Sequence, residues 1–139
     1  MILVDADAYI GWMVSNDAHH DRVVKIFREL RDDRERLVTS WDVVSEVATK
    51  LSYFTTKAMS VRFLRELFAS DTKIVYVDEK LGRVARKIFV SLRSKRASMT
   101  DCVNMAIARS LRIKKFFSFD EIYRKNGFEL VGENELITN

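Results

Sequence analysis

Short β-prone runs alternate with longer helical stretches from one end of this chain to the other, and that alternation leaves few folds open. The runs Ile2–Val4, Leu37–Thr39, Lys73–Val77, Lys115–Phe117 and Phe128–Val131 read as strands. Between them, apolar residues recur at helical spacing. Val23, Val24, Phe27 and Leu30 do so within His20–Arg31, and Trp41, Val44, Ala48 and Leu51 within Trp41–Phe54. Val61, Leu64, Leu67 and Phe68 mark a third helix, and Leu81, Val84, Ala85, Ile88, Phe89 and Leu92 a fourth. Asp101–Leu111 and Asp120–Lys125 supply two more helical segments. The pattern predicts an α/β fold, with a parallel sheet covered by helices on both faces. The 139 residues, with no Pro and four Gly, suit one domain of regular elements spanning 1–139. One cysteine excludes a disulfide framework and points to a reducing, cytoplasmic setting. Asp5 and Asp7 interrupt the first apolar stretch, so no signal peptide is expected. No membrane span is expected either, because no apolar run approaches the roughly 18 residues required.

Charge is distributed unevenly. Residues 80–125 carry thirteen Lys and Arg against three acids, a net +10, while the segments on either side are each −3. A basic block this dense suits a polyanion such as nucleic acid, and solvated helix faces are the alternative reading.

In parallel α/β sheets the working site lies outside the carboxyl ends of the strands. Asp5 follows the first strand, and Asp120 comes three residues after Phe117. Glu46 lies in the second turn of the helix after Leu37–Thr39, and Asp101 opens a helix. Gathered at one edge, four carboxylates repel unless a cation neutralises them. Oxygen ligands without His or Cys suit Mg²⁺ or Mn²⁺, which can activate water against a phosphodiester. Each acid also has a local reading. Asp5 and Asp120 can cap helices, Glu46 and Lys50 are an i,i+4 pair, and Ser98 with Asp101 forms a capping box.

Four segments together resemble the PIN-domain family, and within it the VapC-type ribonuclease toxins. They are Ile2-Leu3-Val4-Asp5-Ala6-Asp7-Ala8-Tyr9-Ile10, Ser45-Glu46-Val47, Thr100 through Ala108, and Phe117-Ser118-Phe119-Asp120 followed by Gly127-Phe128-Glu129-Leu130. The resemblance implies a three-layer α/β/α sandwich with a parallel sheet of four or five strands. It implies a metal-dependent endoribonuclease using Mg²⁺ or Mn²⁺ and leaving a 5′-phosphate and a 3′-hydroxyl. Asp5 and Asp101 correspond to the principal metal ligands, and Glu46 and Asp120 to the other two members of the catalytic acidic quartet, which ligate the metal directly or through water. Ser118 corresponds to an accessory hydroxyl. An inhibitory antitoxin and a homodimer are the implied protein partners, and RNA the substrate.

The chain departs from the family pattern after its first acid. Ala6 removes a hydroxyl and Asp7 adds a fifth carboxylate, with Asp42 one turn before Glu46 as further charge. For RNA contact, Arg93, Lys95 and Arg96 are preferred, since they directly precede the Asp101 segment. His19 and His20 read as surface, Cys102 as a small buried hydrophobe, and Phe63, Phe68, Phe116 and Phe117 as core. Three alternatives stand beside the nuclease. One is a catalytically silent PIN-like module that binds RNA or protein. Another is a small phosphatase of the haloacid-dehalogenase type, built on the Asp5-Ala6-Asp7 D-x-D start. The third is a receiver-like phosphoacceptor using Asp78.

Overall fold

The chain's first strand becomes the middle of its sheet. The computed structural model describes residues 1–132. Five strands, β1 (Ile2–Val4), β2 (Leu37–Ser40), β3 (Lys73–Val75), β4 (Lys115–Phe117) and β5 (Glu129–Leu130), are ordered β3-β2-β1-β4-β5, all parallel. Seven helices connect them among the described residues: α1 (Ala6–Met13), α2 (His20–Asp32), α3 (Trp41–Phe54), α4 (Lys57–Ala69), α5 (Glu79–Ser91), α6 (Met99–Ser110) and α7 (Glu121–Lys125). This is the expected α/β/α sandwich, with five strands. None of these helices is long and apolar enough to cross a membrane.

Strand residues point alternately to opposite faces, and here both faces are covered. Ile2, Val4 and Phe117 join one core with α1, α2, α3 and α4. Leu3, Val38 and Phe116 join the other with α5, α6 and α7. All three residues of β1 are therefore buried, which is why so short an apolar run can serve as a strand.

The helix α1 was not anticipated. It carries no amphipathic stripe, because Ala6, Ala8, Tyr9, Gly11 and Met13 bury nearly its whole circumference. Gly11 lets α2 approach, since a Cβ there would sit 2.8 Å from Val23 Cγ2. His20 is held at the same place, its Nδ1 lying 2.8 Å from the Gly11 carbonyl oxygen, and His19 is exposed.

Several expectations need correction. β3 stops at Val75, leaving Tyr76 and Val77 exposed. Phe68, Phe89 and Trp41 are exposed rather than in the core. Phe68 and Phe89 sit at the margins of stripes whose centres, Phe63 and Leu67 in α4 and Ala85 and Ile88 in α5, take the buried positions. Trp41 begins α3 just past the sheet edge, beyond the reach of the core. Cys102, Phe63, Phe116 and Phe117 are buried as expected.

Candidate active site

The parallel register carries β1 and β4 to one edge together, with Val4 opposite Phe117. The next residues are Asp5 and Ser118, and the Asp5 amide continues the ladder by donating to the Phe117 carbonyl at 3.0 Å. Asp5 caps α1, its Oδ1 accepting from the Ala6 amide at 2.8 Å. The local reading of this acid therefore holds, and the same carboxylate does more. Oδ1 also accepts from Asn104 Nδ2 at 3.2 Å, and Oδ2 accepts from Ser118 Oγ at 3.2 Å and Tyr123 Oη at 2.8 Å. Four donors occupy the roughly four lone-pair positions of a carboxylate, and none is charged.

Asp101 reaches the same place from α6. Ser98 Oγ accepts from the Asp101 amide, and Asp101 Oδ2 accepts from the Ser98 amide, completing the expected capping box. The free oxygen, Oδ1, lies 3.2 Å from Tyr123 Oη. One phenolic proton thus stands between Asp5 and Asp101 and serves Asp5 at the shorter distance. Asn104 ties the group together: its Oδ1 accepts from Ser40 Oγ at 2.9 Å, and its Nδ2 also donates to Tyr123 Oη at 3.1 Å.

Asp7 joins from the first turn of α1. Its Oδ2 accepts from the Phe119 amide at 2.7 Å and from Ser118 Oγ at 3.1 Å, while its Oδ1 is buried with no partner. Asp120 caps α7 by accepting from the Ile122 amide, and its own amide donates to Ser118 Oγ. Its charge nonetheless acts on both Asp7 and Asp101.

Burial dominates the electrostatics. It pushes Asp5 from its ordinary 3.8 up to about 7, helped by the Asp7 charge and then Asp101, against the pull of the Ala6 and Tyr123 hydrogen bonds. Burial also raises Asp7 and Asp101, and Asp120 adds to both. Tyr123 is held well above its usual value by burial and then by the two aspartates it touches.

Glu46 stands apart. It pairs with Lys50 at 2.9 Å and lines a separate concavity of about 440 Å³ with Trp41, Asp42 and Thr100. No hydrogen bond joins it to Asp5 or Asp101 among the described residues. Asp78 caps α5 on the Leu81 amide, away from this group. Arg93, Lys95 and Arg96 are exposed in the connection from α5 to α6.

Among the described residues, no three Asp, Glu, His or Cys side chains are drawn together as a ready shell for an ion. The donor chemistry still suits a hard divalent cation, because every available ligand is an oxygen. The orphaned Asp7 Oδ1 and the suppressed ionisation of Asp5 both mark negative charge that no protein cation offsets.

Asn104, Tyr123 and Ser40 were not singled out from the sequence. Asn104 carried a signal, since a polar residue three positions after Asp101 shares its helix face. Tyr123 and Ser40 carried none, because their partners lie on elements remote in the chain.

Among families of known proteins, the PIN domain matches residues 2–129. No curated protein matches the sequence. Two of the solved structures that share the fold are as follows. VapC20 of Mycobacterium tuberculosis, described as a sarcin-ricin loop cleaving toxin, is 20% identical with a TM-score of 0.81, covering 92% of this chain and 96% of its own. VapBC2 of Rickettsia felis, solved with a DNA fragment from its promoter, contributes a chain 15% identical with a TM-score of 0.70, covering 94% and 97%.

Proposed function

The chain belongs to the PIN domain family, and from that premise we propose that it is a divalent-metal-dependent endoribonuclease acting as the toxin of a VapBC-type pair. One observation carries the reading: Ser118 links Asp5 to Asp7 and Tyr123 links Asp5 to Asp101, with only uncharged donors around the three carboxylates. A purely structural cluster of this kind gains nothing from its repulsion, whereas a cation-binding one is complete only when loaded. VapC20, which has the same fold, is described as a sarcin-ricin loop cleaving toxin, and the VapBC2 complex makes an antitoxin the expected protein partner.

Asp5 and Asp101 would hold the ion, which we take to be Mg²⁺ or Mn²⁺, with Asp7 contributing its unpartnered oxygen. Bound there, the ion would polarise a phosphate oxygen and lower the pKa of a water. The chain's own groups do the positioning. Tyr123 and Asn104 fix the Asp5 and Asp101 carboxylates against each other, and Asn104 is braced in turn by Ser40. Ser118 holds Asp5 and Asp7, and its acceptance from the Asp120 amide sets the start of α7. Asp120 adds negative charge at the rim, and Glu46 lies beside the set on α3, paired with Lys50. Arg93, Lys95 and Arg96 meet the RNA backbone. We assign a homodimer and a cytoplasmic setting on the same basis.

The test is cleavage of total cellular RNA by the purified protein with Mg²⁺, Mn²⁺ or EDTA, beside Asp101→Asn. The reading requires discrete fragments with 5′-phosphate and 3′-hydroxyl ends that disappear with EDTA and in the variant. Metal-independent cleavage, or none by the folded wild type, would overturn it.

A further inference from the structure

The carboxyl edge of the sheet carries a second feature that the acids do not explain. Ser40 and Val75 are the last register pair of β2 and β3, and the residues that follow them are Trp41 and Tyr76. Their rings stack, with centroids 5.4 Å apart and planes 20° from parallel. Trp41 is 41% exposed and Tyr76 58%. Large aromatics at a sheet edge are ordinarily spent on burial, yet this pair is spent on each other and on solvent.

Position separates the pair from other surface aromatics. Trp41 directly follows Ser40, whose hydroxyl donates to Asn104, which donates to Asp5. It also lines the concavity that reaches Thr100, the neighbour of Asp101. Phe119, on the other side of the acids, is already engaged, with His19 stacked 4.0 Å away and the Arg22 guanidinium 5.3 Å from its ring centre. Among the described residues, an open aromatic face beside the group therefore remains on the Trp41 side.

We propose that the Trp41–Tyr76 stack is a platform for an unpaired nucleobase of a single-stranded RNA, seated in the concavity beside the acidic group. Charge selects the base rather than the phosphate. Asp42 and Glu46 line the concavity, with Lys50 already paired to Glu46, so a phosphate is repelled while a neutral base, with amino groups that can donate to carboxylates, is not. The exposed Arg93, Lys95 and Arg96 precede Thr100 by a few residues and supply the phosphate contacts outside. Aromatic stacking tolerates any base, so the platform orders the strand without reading its sequence. The polymer's identity as RNA rests on the nuclease reading; the stacking chemistry does not.

The chain has two tryptophans, and Trp12 lies against Phe27 at 5.5 Å, away from this edge. A Trp12→Phe protein therefore reports Trp41 alone. In EDTA, a short oligoadenylate should quench its fluorescence saturably, and an abasic sugar-phosphate strand of equal length should not. Trp41→Ala should weaken oligoadenylate binding by roughly 5- to 150-fold, Tyr76→Ala should weaken it in the same direction, and Trp41→Phe should retain most of it. The salt dependence should stay unchanged in Trp41→Ala and fall by about one unit in Arg93→Ala. Equal binding of the abasic strand, or unaltered affinity in both alanine variants, would overturn the proposal. So would a Trp41 signal that varies with protein concentration alone, which would make the pair a protein contact. Because no metal is present, the two readings fail separately. Quenching without later metal-dependent cleavage sinks the nuclease and keeps the platform; cleavage without quenching does the reverse.

Discussion

The acids on this molecule live under two regimes. Asp5, Asp7 and Asp101 are held by amides and hydroxyls in a place where burial suppresses their ionisation. Glu46, like Glu66 and Glu79, sits at the surface and pairs with a basic side chain one turn along its own helix. The second arrangement gains little and is complete as it stands. The first is incomplete, since carboxylates brought together with neutral donors keep their repulsion until something positive arrives. Nearness to a strand end is shared by acids of both kinds; what separates them is the company each keeps.

The sharpest way to break this contrast is by cleavage. Asp101→Asn should lose at least the roughly 10- to 100-fold that even outer-shell partners of a metal cost, and Glu46→Gln should lose about tenfold or less. Equal losses would show that Glu46 leaves Lys50 and turns inward when substrate binds, merging the two regimes. The next largest effect is on stability without metal. At pH below 3.8 Asp5 is protonated in both folded and unfolded chains. As pH rises, the unfolded chain gives up this proton first, so stability falls until the folded carboxyl also ionises at about 7. Urea denaturation in EDTA should show a loss on the order of a few kcal/mol across this window, and Asp5→Asn should flatten it.

A smaller change is expected from Tyr123→Phe, which keeps the ring stacked on Phe116 and removes the hydroxyl shared by Asp5 and Asp101. It should destabilise the protein by about 1–3 kcal/mol. An unchanged midpoint would mean that water replaces the phenol and that the site is wetter than its burial implies. Smallest of all, Lys50→Ala should cost only about 0.3–0.5 kcal/mol and lose even that in high salt.

Much of this architecture is visible in one dimension. Residues 2–4, 37–38 and 116–117 are apolar on consecutive positions because both faces of the sheet are covered, and this also placed Asp5 and Ser118 at its edge. The helix α1 was hidden by the same burial, since a segment enclosed on nearly every side has no stripe to read. Trp41 misled for the opposite reason: it falls on an apolar helical repeat yet lies past the end of the core. Tyr123 was illegible because its value comes from Asp5 and Asp101, and no local pattern in α7 points toward them. Asp7 was visible as a departure, but only the fold shows that its second oxygen is left without a partner.

The central place of β1 has a consequence for the order of assembly. The strand is made first, but its neighbour β4 starts at Lys115, and the bond from Ser118 to Asp5 closes a separation of 113 residues. Tyr123 lies further still, 118 residues away. Contacts this distant in the chain form late. A nascent or truncated polypeptide ending before β4 would carry Asp5, Glu46 and even Asp101, yet it would lack the strand that completes the edge and the phenol that bridges the acids. Whatever hydrolytic power the site supports is thus withheld until β4 and α7 are in place, by topology alone.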